Sequence, residues 1–91
     1  PRHHAQALFL KGKLENDVEL LLQAKRIFTQ YKNWQKVGDS LIISAQIALT
    51  SKKKAKATVY FNKAILYYDL ANAKDKLELA INWGEEHGIA W

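Results

Sequence analysis

Three kinds of side chain in this sequence could support chemistry: histidines, neighbouring acidic residues and a run of lysines. His3 and His4 could bind a metal ion, but adjacent residues on a helix point in different directions. His87 follows Glu85 and Glu86, yet no second histidine stands at metal-ligand spacing from it. A histidine at the C-terminal end of a helix interacts favourably with the helix dipole, and we expect that role for His87.

The remaining composition gives no support for catalysis. The sequence contains no cysteine, which excludes a cysteine nucleophile and a disulfide framework and is typical of the reducing cytoplasm, where we place the protein. It has no glycine-rich phosphate loop and no pair of carboxylates on an apolar stripe. We therefore expect no enzymatic activity, no cofactor and no metal site. No apolar run approaches the ~18–20 residues of a membrane span.

The lysines favour an anionic partner. The formal net charge is +5, from 14 basic and 9 acidic residues. A basic patch, Lys52, Lys53, Lys54 and Lys56, lies at the N-terminal end of a predicted helix, where cations oppose the helix dipole; it is either a solvated turn or a contact for an acidic group. Nucleic-acid binding is an alternative function. Acidic residues interrupt the basic ones, however, and there is no recognition-helix motif, so a protein is the preferred partner.

The elements that would position these residues are helices. Apolar residues recur at steps of three and four throughout, most clearly over 34–49, and β-branched residues do not alternate with polar ones. We predict helices over 5–11, from Asn16 or Asp17 to about 32, over 34–50, over 53–71 and from about 75 to 87. Gly12 and Gly88 are expected to end the first and last helices, and Thr50 or Ser51 to cap the fourth.

The predicted helix pair repeats after 40 residues. On the first helix of the pair the stripe Leu21, Ala24 and Phe28 becomes Phe61, Ala64 and Tyr68. On the second helix, Val37, Leu41 and Ser44 become Leu77, Ile81 and Gly84. A period near 40 is typical of helical solenoids. The sequence therefore predicts an all-α fold: a right-handed superhelical stack of about five helices in antiparallel hairpins.

These twelve positions resemble the tetratricopeptide repeat, over about residues 18–87. The family has a large, a small and an aromatic residue on its first helix and smaller residues on its second. Lys25 and Ile65 depart from that pattern, and the closing proline is absent, which points to a variant with longer helices. The resemblance implies a scaffold that binds protein segments.

One longer variant is closer in one stretch. Asn33, Trp34, Gly38 and Ala45 resemble the second repeat of the soluble NSF attachment proteins. That resemblance implies, as a further alternative, an adaptor in the disassembly of membrane-fusion complexes.

In the resembling family, first helices line a concave groove, supported from outside by the second helices. The resemblance therefore implies a non-catalytic protein–protein interaction module that holds a peptide or helical segment of a partner there. The implied partner-binding residues are Glu19, Leu22, Arg26, Thr29, Gln30, Val59, Asn62, Leu66 and Asp69.

The predicted domain organisation is one domain over 1–91, made of a partial repeat (1–12), a first repeat (13–51) and a second repeat (52–91). Solenoids generally need about three repeats to be stable, so we expect apolar surface at an end, and either a longer native chain or self-association of copies through that surface. Ile89 and Trp91 are expected to fold back onto the last helix. The structural alternative is a plain five-helix bundle that closes around one core and has no groove.

Overall fold

The computed structural model describes residues 2–89, and these form five α-helices. Their bounds are α1 Arg2–Glu15, α2 Val18–Gln30, α3 Trp34–Thr50, α4 Lys54–Leu70 and α5 Lys74–Glu86. No strand occurs within the described range. The all-helical class and the number of helices are confirmed, while the right-handed superhelical stack stays a prediction. None of the helices in the described range is both long and apolar enough to cross a membrane.

Two helices begin at side-chain caps, of which Asp17 is one of the two predicted candidates for α2. The Asp17 carboxylate accepts a hydrogen bond from the backbone N–H of Leu20 (3.3 Å), and the Asn33 side chain accepts one from the N–H of Lys36 (3.4 Å). Such caps satisfy N–H groups that have no partner within the helix. They fix the N-terminal ends of α2 and α3.

The five helices end in the same way. Each is followed by one residue with positive φ: Asn16, Lys32, Lys52, Asn72 and Gly88. The N–H of the next residue then donates to a carbonyl five positions earlier, at 2.8–3.0 Å. This is the Schellman arrangement. It confirms Gly88 as the stop of α5 and turns Ile89 back onto the core, where Ile89 is buried. Trp91 lies outside the described residues.

Two predictions about helix ends were wrong. Gly12 does not end α1; it lies inside the helix, and a Cβ there would stand 2.9 Å from Cγ of Leu21. The glycine is needed because α1 and α2 approach closely, not because of a left-handed conformation. Neither Thr50 nor Ser51 caps α4. The Thr50 hydroxyl donates back to the Gln46 carbonyl (3.0 Å), and Ser51 is the C-cap of α3.

The helices pack mainly against their neighbours along the chain. The extensive contacts within the described range are α1 with α2, α2 with α3, α3 with α4 and α4 with α5. The body is flat, measuring 36 × 29 × 16 Å. The buried apolar side chains form two clusters, one centred on α1, α2 and α3 and the other on α3, α4 and α5. The buried side chains therefore form two clusters and not the single closed core of the bundle alternative.

The turns make the internal repeat measurable. Lys32 and Asn72, the left-handed residues of the α2–α3 and α4–α5 turns, lie 40 positions apart. We call α2 with α3 the first hairpin and α4 with α5 the second hairpin. In contrast, Asn16 and Lys52 lie 36 positions apart. Helix α4 therefore begins four residues, about one helical turn, before the position that a 40-residue repeat of α2 would give. The basic patch lies at the α3–α4 turn and the start of α4.

Candidate functional site

Helix α2 carries five of the predicted binding residues on its accessible side. Glu19, Arg26 and Gln30 are exposed, while Leu22 and Thr29 are half-buried. The Thr29 hydroxyl donates to a carbonyl one turn earlier in its own helix (2.8 Å), so it is already engaged. Charged and amide groups are thus the parts of α2 most available to a partner.

Helix α4 carries the other four predicted binding residues, and all are exposed. Val59 has 51% of its surface exposed and Leu66 has 67%. Exposed aliphatic side chains on one helix are worth attention when they adjoin a groove. We call the nine residues of α2 and α4 together the α2–α4 face.

Three of those residues line a groove that opens toward α5 rather than toward α2. Ile65 forms its floor with Leu77 and Ile81, Leu66 lies on its rim, and Asn62 and Asp69 are its polar members; the volume is about 470 Å³. We call this the α4–α5 groove. Sequence reasoning placed Leu77 and Ile81 on an inner stripe and did not see them as groove residues. The repeat could have predicted a groove here, because Leu77 and Ile81 occupy the positions equivalent to Val37 and Leu41, which another helix has to cover.

Two cations lie near enough to Lys25 for their charges to act on it: Arg26, beside it on α2, and Lys63 on α4. Burial, followed by the nearby charges of Lys63 and Arg26, lowers the pKa of Lys25 below its ordinary value. Within residues 2–89 none of these three side chains lies within ion-pair distance of a carboxylate. An anion that approached them would therefore meet cations that form no ion pair within this part of the chain.

The basic patch is a second positive surface, at the α3–α4 turn and the start of α4. Lys52, Lys53, Lys54 and Lys56 are all exposed. Lys53 occupies the N-cap position of α4 and makes no side-chain capping bond. Lys56 also lines a shallow depression with Ala55, Val59 and Tyr60, so one edge of the patch adjoins apolar surface.

A buried polar network joins three helices. Asp39 of α3 is 7% exposed, and one of its oxygens accepts hydrogen bonds from the Tyr68 hydroxyl (2.6 Å) and from Nζ of Lys76 (3.0 Å). Burial, and then the hydrogen bond and negative charge of Asp39, raise the pKa of Tyr68. The carboxylate is thus held by two donors. Nothing in the sequence pairs these three positions, which are distant along the chain.

A cavity lies beside this network, and His87 lies at the end of α5. The network borders a cavity of about 340 Å³ between α1, α3 and α5 that also contains Phe9 and Trp83. Nδ1 of His87 lies 2.8 Å from the Trp83 carbonyl oxygen, and the two rings are 4.9 Å apart. In residues 2–89 no three potential metal ligands come together. His87 is engaged with its own helix end.

No family model, curated protein or solved structure matches this chain. The likeness to tetratricopeptide repeats and to the soluble NSF attachment proteins therefore stays a prediction from the residues quoted above. What the protein does has to be argued from its own surfaces.

Proposed function

We propose that this chain is a non-catalytic protein-binding module whose partner segment, a peptide or a helix with acidic residues, lies across the α2–α4 face. The observation that carries the proposal is that Arg26 and Lys63 lie near enough to Lys25 to act on its charge, and that Val59 and Leu66 of α4 are exposed. Aliphatic contact would supply burial, and the cations would fix the position of an acidic group.

Charge favours an acidic segment over a neutral one. Opposite charges ~4 Å apart near a protein surface attract by several kcal/mol before desolvation is counted, and an anion here would also reduce the repulsion that Arg26 and Lys63 exert on Lys25. Electrostatic complementarity of this kind contributes mostly to association rate and specificity. The aliphatic residues are then required for affinity, because exposed ion pairs alone contribute little.

The helix contacts agree with an open row of hairpins. We propose that the row is a right-handed superhelical stack, since contacts run between successive helices and the two hairpins turn at equivalent residues 40 positions apart. In such an array the first helices of successive hairpins share one side. That arrangement would make α2 and α4 a continuous surface.

A selection from a phage-displayed library of random 12-residue peptides tests this function. Enriched peptides are expected to place Asp or Glu next to Leu or Phe. Their affinity should fall about tenfold or more, equivalent to ~1.4 kcal/mol or more, in a variant carrying Arg26→Glu and Lys63→Glu. The matched control carries Lys11→Glu and Lys74→Glu, which change the net charge equally at exposed positions of α1 and α5.

Equal loss of affinity in both double variants would show that net charge alone attracts the peptides and would refute the α2–α4 face. Enrichment of peptides without acidic residues would refute the proposed partner chemistry. Circular dichroism of each variant establishes that the helices are retained.

A further inference from the structure

The α4–α5 groove has an occupied counterpart in the same molecule. Forty positions earlier, the places of Leu77 and Ile81 are held by Val37 and Leu41, which are 0% and 1% exposed. They are buried in one cluster with Ala64 of α4, and Tyr60 and Tyr67 of α4 pack against that cluster. The element that covers this groove in the first hairpin is therefore a helix, α4.

The covering helix approaches through a small residue between aromatic ones. Ala64 is fully buried at the contact, and the Tyr67 ring stacks on Trp34 at 5.9 Å between centroids. A small side chain lets two helix backbones come close, while the tyrosines fill the space on either side. A helix that suits such a groove has a tyrosine four residues before the buried alanine and a second tyrosine three residues after it.

The second groove differs from the first in a way that defines its occupant. The repeat places Ile65 where the first hairpin has Lys25, and Leu66 where it has Arg26. In the first groove, Lys63 of the covering helix lies near enough to Lys25 for the two positive charges to act on each other. In the α4–α5 groove the corresponding position faces aliphatic side chains, and Asp69 is the charged group at its edge.

We propose that the α4–α5 groove binds an amphipathic helix of a partner protein that presents a small residue flanked by aromatic or long aliphatic ones. It carries an apolar residue at the position equivalent to Lys63. The helix docks as α4 docks on the first hairpin, continuing the row by one helix. This surface goes beyond the α2–α4 face, because it depends on Leu77 and Ile81 and not on the cations near Lys25.

A synthetic helix is the probe. It has the sequence of residues 54–70 with Lys63→Leu, and it is stapled between positions 62 and 66, because an isolated helix of this length is marginal in water. Those two positions are exposed when α4 is in place. Binding of the fluorescently labelled peptide to the whole protein, followed by anisotropy, should saturate in the micromolar range.

Two variants of the protein separate groove binding from other binding. Leu77→Glu and Ile81→Glu each place a charge in the groove and should weaken the peptide at least tenfold. Leu79→Glu, on the same helix at a side chain that is 69% exposed, should leave affinity within twofold. A peptide that also carries Ala64→Leu should bind at least tenfold more weakly because its backbone is held away from the groove.

Three results would overturn the proposal. The first is absence of saturation up to millimolar peptide, and the second is equal weakening by Leu79→Glu and Leu77→Glu. The third comes from sedimentation of the protein alone: a dimer that Ile81→Glu dissociates would show that a second copy occupies the groove. The Arg26→Glu, Lys63→Glu variant should still bind the helix, so failure of the α2–α4 face and failure of this groove are distinguishable.

Discussion

The two hairpins carry the same pattern in different surroundings. In the first hairpin Val37 and Leu41 are completely covered, whereas in the second the equivalent Leu77 and Ile81 are only partly covered and line a groove. The difference does not come from the hairpins themselves, since both turn at a left-handed residue and both carry the stripe. It comes from α4, which lies on the first hairpin and has no counterpart on the second within residues 2–89.

A helix pair of this kind has more apolar surface than it can bury by itself. A hairpin has one side facing its predecessor and one facing its successor, and repeat proteins are stabilised by those interfaces. Where a successor is present the stripe becomes core. Where it is not, the same residues become a binding surface, so the repeat itself indicates what kind of element fits.

The largest expected effect separates the two hairpins directly. Leu41→Ala should cost ~2–5 kcal/mol, because it opens a cavity in a fully packed site. Ile81→Ala, at the equivalent position, should cost less than ~2 kcal/mol, since a groove residue loses less contact and leaves no enclosed cavity. Urea unfolding of both variants measures the difference. Equal costs would mean that the two stripes are equally packed.

A second prediction concerns the network that holds α4 between α3 and α5. Tyr68→Phe should destabilise the protein by ~1–3 kcal/mol near neutral pH, because a hydrogen bond to a buried carboxylate is lost. The pKa of Tyr68 is raised in the folded state, so its contribution is complete below the ordinary tyrosine pKa and is lost as pH rises above about 10.

The stability advantage of the parent protein over Tyr68→Phe should therefore shrink between about pH 10 and pH 11. Comparing the two proteins at each pH cancels the titration of the many lysines. A constant difference across this interval would contradict a raised pKa for Tyr68.

Two glycines provide a third contrast. A Cβ on Gly38 would stand 2.6 Å from the Tyr68 ring, and one on Gly84 would stand 2.5 Å from the tip of the Phe61 ring. Overpacking costs ~1–3 kcal/mol, against a helix-propensity gain of about 1 kcal/mol. Because its hydroxyl is bonded to Asp39, the Tyr68 ring is held at both ends. Thermal unfolding should show that Gly38→Ala is the more destabilising of the two; the reverse order would contradict this account.

The smallest expected effect on stability comes from substitutions at the N-cap positions of α2 and α4. Lys53→Ser should stabilise the protein by ~0.5–1 kcal/mol, because it supplies the cap that α4 lacks and removes a cation from the positive end of the helix dipole. Asp17→Ala should destabilise the protein by a similar amount, because it removes the cap of α2. If Lys53→Ser is neutral while Asp17→Ala is destabilising, the start of α4 is set by packing and not by capping.

Local rules predicted much of the fold. The stripe of α3 and the Asp17 cap of α2 each depend on residues close together in sequence, so pattern and capping chemistry were sufficient. Gly12 was misinterpreted because the sequence does not distinguish a glycine that adopts positive φ from one that admits a neighbouring side chain. The role of Leu21 as that neighbour is a tertiary fact. Thr50 shows the same limit, since its hydroxyl can cap forward or bond backward with equal local justification.

The candidate surfaces were only half predictable for the same reason. Exposure of Asn62, Leu66 and Asp69 follows from their place on the helix, but whether they face α2 or α5 depends on how α4 is rotated in the stack. The contact between Asp39 and Tyr68 joins residues far apart in sequence. No spacing rule covers such a pair.

The most direct test of the account is the reactivity of thiols at equivalent positions. The protein has no cysteine, so Val37→Cys and Leu77→Cys each introduce a single thiol, 40 positions apart. With a maleimide reagent under native conditions, Leu77→Cys should react at a rate close to that of an unfolded control. Val37→Cys should react at least a hundredfold more slowly, at a rate limited by unfolding. Equal protection of the two thiols would contradict the claim that only the first hairpin is covered.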